Sequence, residues 1–444
     1  MIMQMQMTWG PPLGLEGMKW SNDESLKPSL INDTPEKRLA AIAACQQAFA
    51  FPDGSGSALP HAKAPWEEMS SDVAQGKLAK CGFGQLYCKL NADRSVEEFG
   101  DIVCDVRSLG GLDVRPGFEK LGAAAYFKRS GSGSDCDGGP WEITAIDWCH
   151  EDRLVLPDDP LWEHVKWAWR CSINMRITAV EHLVHTHWIM SNAVASSLRQ
   201  SLGPTHPVRR CLHVNIFNTA NVNAGSYKQL YPPNALLHRL SPFTDSGLMT
   251  AFGAGAAAWE YKTWPQVVAD SDLPQAVKDA LPIFVDGLAV WGAMHTFYSG
   301  FVDLYYEDDE AVQADGELVE YWKFELVPQY AAGGLPPLSK ASLIDQMTHA
   351  VFAVTGYHEI VGQVVPYTTD PAGAALAVRP GQSMADTQTL IAMNGLVAST
   401  GTPMPKFLDD WTPILDATAW DGKRNKATKI LREAMGVWWK PNSS

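Results

Sequence analysis

Residues 181–190 read EHLVHTHWIM, which places imidazoles at His182, His185 and His187 in an otherwise apolar run. A buried imidazole needs hydrogen-bond partners or a metal ion, and three on one segment ask for an explanation. His182 and His185 are three apart and share a helix face. His182 and His187 are five apart, about 140° round a regular α-helix. A π-type widening, a feature that concentrates at functional sites, brings the second pair to one side. Spacing alone leaves both pairs open. Three neutral imidazoles suit iron, zinc or copper by ligand type. Zinc hydrolysis is the weaker reading, because no Glu stands in an HExxH arrangement. Serine-hydrolase and nucleotide-binding readings have no foothold, since GxSxG, P-loop and helix-opening GxGxxG patterns are missing.

The elements that must position these histidines are long helices. Residues 162–202 read as one helix or two with a kink, closed by Gly203 and Pro204. Residues 286–312 place Leu288, Trp291, Met294, His295, Tyr298, Phe301, Val302 and Tyr305 at helical spacings and predict a core helix. Residues 342–367 predict another, with Ser342 as N-cap, Asp345 in the first turn and Pro366 as its end. A shorter basic amphipathic helix is expected from Lys423 to Trp439. With Trp438 and Trp439 it offers a peripheral membrane contact, set against the plainer reading of a last helix packed on the core. Ahead of these, residues 1–35 and the turn-forming 51–65 predict short helices joined by loops. The SGSGSDCDGGP run at 130–140 is the plainest linker or surface loop. The expected organisation is an N-terminal helical and loop extension over 1–140, packing on a helical core over 141–444. The fold class expected is mainly α, with long buried central helices.

Bulk properties narrow the partners. Asp and Glu number 50 against 35 Lys and Arg, a formal charge of −15, which disfavours nucleic acid. Apolar residues make up 46% of the 444, enough for a substantial core, yet every apolar stretch is too short for a membrane span. The first residues lack the pattern of a secretory signal, so a soluble intracellular protein is expected. All eight Cys fall in the first half without a CxxC pair, which reads as buried free thiols rather than a zinc ribbon or disulfide scaffold.

Several ordered blocks resemble the lipoxygenase family. The run WAWRCSINMRITAVEHLVHTHWIMSNAVASSLRQSLGPTHPVRRCL is similar to that family's iron-binding helix, with His-x4-His at His182 and His187 and an "HP" step at His206–Pro207. The DGLAVWGAMHTFYSGFVDLYYEDDEAVQADGELVEYW run is similar to a following helix pair. LIDQMTHAVFAVTGYHEIVGQVVPY is similar to the helix carrying the third iron histidine, here His358, and the terminal KPNSS is similar to the family's "PNS". The resemblance spans residues from about 150 to 444 and shows no β-sandwich domain ahead of the catalytic part, which implies a short form. It implies one non-haem iron per chain held by His182, His187 and His358, with His185 as a supporting or packing residue. It also implies a dioxygenase that abstracts hydrogen from a polyunsaturated fatty acid and inserts O2 to give a lipid hydroperoxide. Apolar helix faces including Phe217, Leu230 and Trp291 are expected to line an acyl channel.

This chain departs from the family pattern at several positions. Gly362 stands where the family usually has an Asn ligand, and offers no donor atom. Thr178 and Val365 replace two Gln residues that connect metal and substrate pocket. The family's fifth protein ligand is a terminal isoleucine carboxylate, whereas this sequence stops at Ser444, which is expected to be too short to insert. Without an anionic ligand the ferric state loses charge stabilisation. Glu359 points about 100° away from His358 on a regular helix and is not expected to ligate. Counting from the "HP" step puts Ser226 at the small residue that steers oxygen addition, with a surface-loop position as the alternative. His349, His206 and His213 are expected in core or supporting roles, and Tyr305–Tyr306 with the acidic run after them as a solvated helix end. Two other readings stand beside the dioxygenase: an iron-dependent isomerase or lyase of lipid hydroperoxides at an open three-His site, and an inactive lipid-binding relative.

Overall fold

The structure is a computed structural model and describes residues 34–50, 53–56, 68–129, 140–216, 219–231, 235–323, 335–362, 364–397 and 424–436. Helix α1 spans Pro35–Ala48 and α2 spans Asp72–Cys81. Five strands follow, β1 Cys88–Leu90, β2 Ile102–Asp105, β3 Ala123–Arg129, β4 Trp141–Trp148 and β5 Arg153–Val155, in one antiparallel sheet of order β1-β2-β3-β4-β5. This sheet stands where the sequence predicted short helices and loops. The reason lies in β3: Ala123 to Phe127 are all buried, so the in-out alternation of a one-sided strand is missing, and three alanines favour helix by propensity. β3 and β4 pair with each other, so a hairpin crosses the expected boundary at 140/141. Of the expected linker, residues 130–139 lie outside the described residues. No β-sandwich occurs among the described residues, and the structure is mostly helical.

One face of the sheet packs through Phe127 on Trp141 and on Trp169 of helix α3, Trp162–Arg176, with ring centroids 6.0 and 5.9 Å apart. α3 runs without a break into a wide-turn π segment, Ile177–Ser191, and then into α4, Asn192–Ser201. Nearly every residue of α3 is buried, including Arg170 at 2% exposure. Its guanidinium donates to the carbonyls of Gly373 and Ala372 and to Gln75 Oε1, pinning the chain beyond the third histidine onto α3.

Helices α5, Pro207–Ile216, and α6, Thr219–Gln229, follow the "HP" step. α7, Asp245–Ala257, lies against the π segment. Its Gly255 makes that approach, because a Cβ there would meet Val180 Cγ1 at 2.7 Å. α8 spans Pro282–Asp303, four residues earlier than the predicted start, and ends before the acidic run; Asp308 caps a separate short helix there. α9, Lys340–Phe352, is capped by Ser339, not Ser342. Ser342 takes the third helical position, where its hydroxyl accepts from the Ser339 N–H in a reciprocal box. A second π segment, Ala353–Tyr357, leads into α10, His358–Gly362. Pro366 opens the next short helix, Val365–Thr368, rather than ending this one. α11 spans Thr387–Val397 and α12 spans Arg424–Met435. Ala427, Leu431 and Met435 of α12 are buried in the second of two large hydrophobic clusters, together with α8 and α9. Trp438 and Trp439 lie outside the described residues. Among the described residues no helix is long and apolar enough to cross a membrane.

Candidate metal centre

The π segment answers the spacing question. Each of its turns takes in more residues than an α-turn, so His182 and His187 come round to one side. Side-chain hydroxyls support the widened turns: Thr186 donates to the His182 carbonyl, and Ser191 Oγ donates to the His187 carbonyl at 2.7 Å. The second π segment faces the first and delivers His358 from the far end of the chain. His182 Nε2 lies 3.0 Å from His358 Nε2 and 3.2 Å from His187 Nε2, and His358 Nε2 lies 3.0 Å from His187 Nε2. Among the described residues this is the one cluster of three side chains with metal-ligating atoms so close together.

The electrostatics keep these rings neutral. Burial, then the neighbouring His358 and His187, holds the His182 imidazole well below its ordinary range. Burial lowers His187, against the opposing bond from Asn223. Burial and then His187 bring His358 down to about 3. Asn223 of α6 fixes the tautomer of His187. Its Nδ2 donates to the His187 carbonyl, Ser191 Oγ and Asn192 Oδ1, which leaves Oδ1 to accept from His187 Nδ1 at 2.8 Å. The proton therefore sits on Nδ1, and Nε2 turns a lone pair toward its two neighbours.

This donor set fits a cation. Mutually adjacent positions of an octahedral ion about 2.1 Å from each nitrogen lie about 3.0 Å apart, against about 3.4 Å for a tetrahedral ion. The observed edges of 3.0, 3.2 and 3.0 Å match the first more closely.

His185 points elsewhere. Its Nδ1 lies 2.9 Å from Glu181 Oε2 and its Nε2 lies 2.9 Å from the Gly255 carbonyl, so both ring nitrogens are engaged away from the cluster. Glu181 is a brace that the sequence did not reveal. Its carboxylate accepts from the Tyr357 hydroxyl at 2.9 Å and pairs with Arg176 at 3.5 Å, joining the residue before His182 to the residue before His358. Burial pushes the Glu181 carboxyl upward, but His185, Arg176 and Tyr357 outweigh it and hold the group below its ordinary value. Behind the brace lies a cavity of about 350 Å³ lined by Tyr87, Arg176, Glu181, His185, Trp259 and Tyr357 among others. The histidines of the cluster do not line it.

The other expected positions fall as follows. Gly362 sits over the cluster, where an added Cβ would lie 3.5 Å from His182 Nε2 and 3.6 Å from His358 Cε1, in ordinary contact. Thr178 is buried at 2% exposure, and its hydroxyl finds no hydrogen-bond partner. The side chain of Val365 lies outside the described residues. Ser226 is half-buried on α6, one turn beyond Asn223. His206 and His349 are buried; His206 bonds Asp315 at 3.0 Å, and His349 stacks edge-on with Tyr261. Trp291 packs on Phe352 in the core, Leu230 is half-buried, and Phe217 lies outside the described residues. The terminal residues from 437 onward also lie outside them. Asn223, Glu181 and Tyr357 were missed. The one sequence signal was that Glu181 and Tyr357 each directly precede a histidine of the cluster.

Comparison with known proteins bears on the fold and on the stretch that carries His182 and His187. Residues 157–329 match the family model for lipoxygenase. The polyunsaturated fatty acid lipoxygenase ALOX8 of Mus musculus is 25% identical over 48% of this chain and 32% of its own length. The linoleate 9/13-lipoxygenase of Pseudomonas aeruginosa is 27% identical over 50% of this chain and 35% of its own. The matched part thus spans about a third of these relatives. Among solved structures, a calcium-dependent 11R-lipoxygenase superposes with a TM-score of 0.71 at 18% identity, covering 89% of this chain and 65% of its own. A lipoxygenase in complex with arachidonate superposes with a TM-score of 0.70 at 16% identity, covering 90% and 70%. The motif blocks, the fold and the family match converge: residues 157–329 match the lipoxygenase family model, and the chain has the fold of lipoxygenase structures.

Proposed function

We propose that the chain is a non-haem iron dioxygenase of polyunsaturated fatty acids that forms a lipid hydroperoxide, with His182, His187 and His358 as the iron ligands. The observation that carries this reading is the triangle of Nε2 atoms, with edges of 3.0 to 3.2 Å, on two facing π segments. The lipoxygenase family match over residues 157–329 and the fatty-acid substrates named for the similar proteins support it. Bound iron supplies the one-electron oxidation that loosens a bis-allylic C–H bond, chemistry that no side chain in the cluster performs. The chain's own residues do the rest. Neutral imidazoles present lone pairs, Asn223 keeps the His187 proton on Nδ1, and the Glu181–Tyr357 bond holds the two π segments in register. Oxygen and an acyl chain are the partners of this reading.

Gly362 favours a second reading. Glycine brings no donor atom to this position beside His182 and His358, so a bound iron would have one protein ligand fewer, which suits isomerisation or cleavage of a lipid hydroperoxide at the same three histidines. Metal analysis of the purified chain followed by incubation with linoleate in air separates the cases. About one iron per chain and a growing conjugated-diene absorbance support the dioxygenase. Iron with consumption of added hydroperoxide, and no diene, supports the second reading. A chain that takes up no iron on reconstitution ends both, and leaves a lipid-binding relative.

A further inference from the structure

β1 and β2 bring two thiols together. In their antiparallel register Leu90 faces Ile102, Lys89 faces Val103 and Cys88 faces Cys104. One step beyond, the Asn91 N–H donates to the Asp101 carbonyl at 2.9 Å, which marks a hydrogen-bonded pair. The two kinds of pair alternate along such a ladder, so Cys88 and Cys104 form a close, non-hydrogen-bonded pair with Cα atoms about 4.5 Å apart. That separation lies within the range of about 4.4–6.8 Å that a disulfide bridges. The side chains converge as well: Cys88 Sγ lies 3.7 Å and Cys104 Sγ 3.4 Å from the same Gly84 carbonyl oxygen.

We propose that Cys88 and Cys104 are an oxidisable dithiol that closes to a cross-strand disulfide when the protein meets an organic hydroperoxide. Cys88 is half-buried whereas Cys104 has no exposed surface, so the oxidant reaches Cys88. The Cys88 sulfur takes the outer oxygen of the hydroperoxide, the O–O bond breaks, and the peroxide leaves as its alcohol. The Cys104 sulfur then attacks the sulfenic sulfur, the S–S bond forms, and the oxygen leaves with the thiol proton as water. Two thiols lose two electrons and one peroxide gains them. Burial of Cys104 keeps the oxidant away from it, and its place opposite Cys88 in the ladder leaves it as the resolving group. Tyr87 directly precedes Cys88 and lines the cavity behind the Glu181 brace, so closure ties one wall of that cavity to β2. This inference goes beyond the proposed function and does not require it, because any hydroperoxide serves.

The test treats the full chain with tert-butyl hydroperoxide, blocks remaining thiols with N-ethylmaleimide, and maps peptides after trypsin and chymotrypsin digestion. Cleavage after Tyr87 separates Cys88 from the nearby Cys81. The expected product is a Cys88–Cys104 linked pair, two hydrogens lighter than its parts and lost on reduction with dithiothreitol. Cys104→Ser is expected to stop at a Cys88 sulfenic acid that dimedone traps. Recovery of both cysteines as maleimide adducts, a Cys81–Cys88 bridge, or Cys88 sulfinic acid beside a free Cys104 overturns the proposal. The wild-type map decides the matter even where the variant fails to fold.

Discussion

Asn223 Oδ1 accepts the Nδ1 proton of His187 at 2.8 Å while its amide nitrogen is held by three acceptors, so a buried carboxamide on α6 sets which nitrogen of His187 faces the cluster. Removing such an outer partner of a ligating histidine costs about 10–100-fold in metal affinity. Asn223→Ala is therefore expected to lower iron affinity by about that factor. Competition with a chromophoric chelator measures it; unchanged affinity contradicts the assignment of His187.

His185 and His187 make a sharper contrast, since they are two residues apart and only one faces the cluster. His187→Ala is expected to abolish stoichiometric iron. His185→Ala is expected to retain iron while losing stability by about 1–3 kcal/mol, because it strips the buried Glu181 carboxylate of one of its three partners and the Gly255 carbonyl of its imidazole donor. Metal content and urea unfolding of the two variants, run side by side, read both effects. Iron lost equally from both would reject the assignment of His187 over His185.

Gly362 offers a gain-of-ligand test. A Cβ fits over the cluster, so Gly362→Asn is expected to add a fourth donor and slow iron dissociation by about tenfold, which is about 1.4 kcal/mol. Gly362→Ala supplies the same Cβ without a donor and is expected to leave dissociation unchanged. Stopped-flow chelation distinguishes the two; equal rates for Asn and Ala place position 362 off the metal.

The same histidines imply a pH dependence. Their folded values are depressed, His358 to about 3, while unfolded imidazoles titrate near about 6.5. Between these limits the unfolded chain binds more protons than the folded one, so stability rises with pH. It is fully present above about pH 6.5 and is lost as pH falls toward about 3, by up to about 1.4 kcal/mol per pH unit for each imidazole. Urea midpoints of the chelated protein at about pH 7.5 and about pH 5 check this, and a midpoint that does not fall at the lower pH contradicts burial of neutral rings.

The sequence made some of this legible and hid the rest for physical reasons. The five-residue spacing of His182 and His187 makes sense only with a widened helix, and a widened helix is present. α8 and α9 were visible because long apolar periodicity survives burial, although the expected cap of α9, Ser342, lies one turn inside the helix that Ser339 caps. β3 was not visible: a short strand covered on both faces loses its alternation, and its alanines argue for helix. The braces were invisible for a different reason. Glu181 and Tyr357 are 176 positions apart, and Asn223 is 36 from His187, so nothing local links either pair.

That separation along the chain has a consequence for folding. His187 and His358 are 171 positions apart, so an ion shared between them clasps a loop of that length. Closing such a loop in a flexible polymer costs on the order of 5 kcal/mol of entropy, a cost that a coordinated chain no longer meets each time it collapses. The cation would act as a rivet as well as a reagent, and demetallated material would be slower to reassemble than its helices alone suggest.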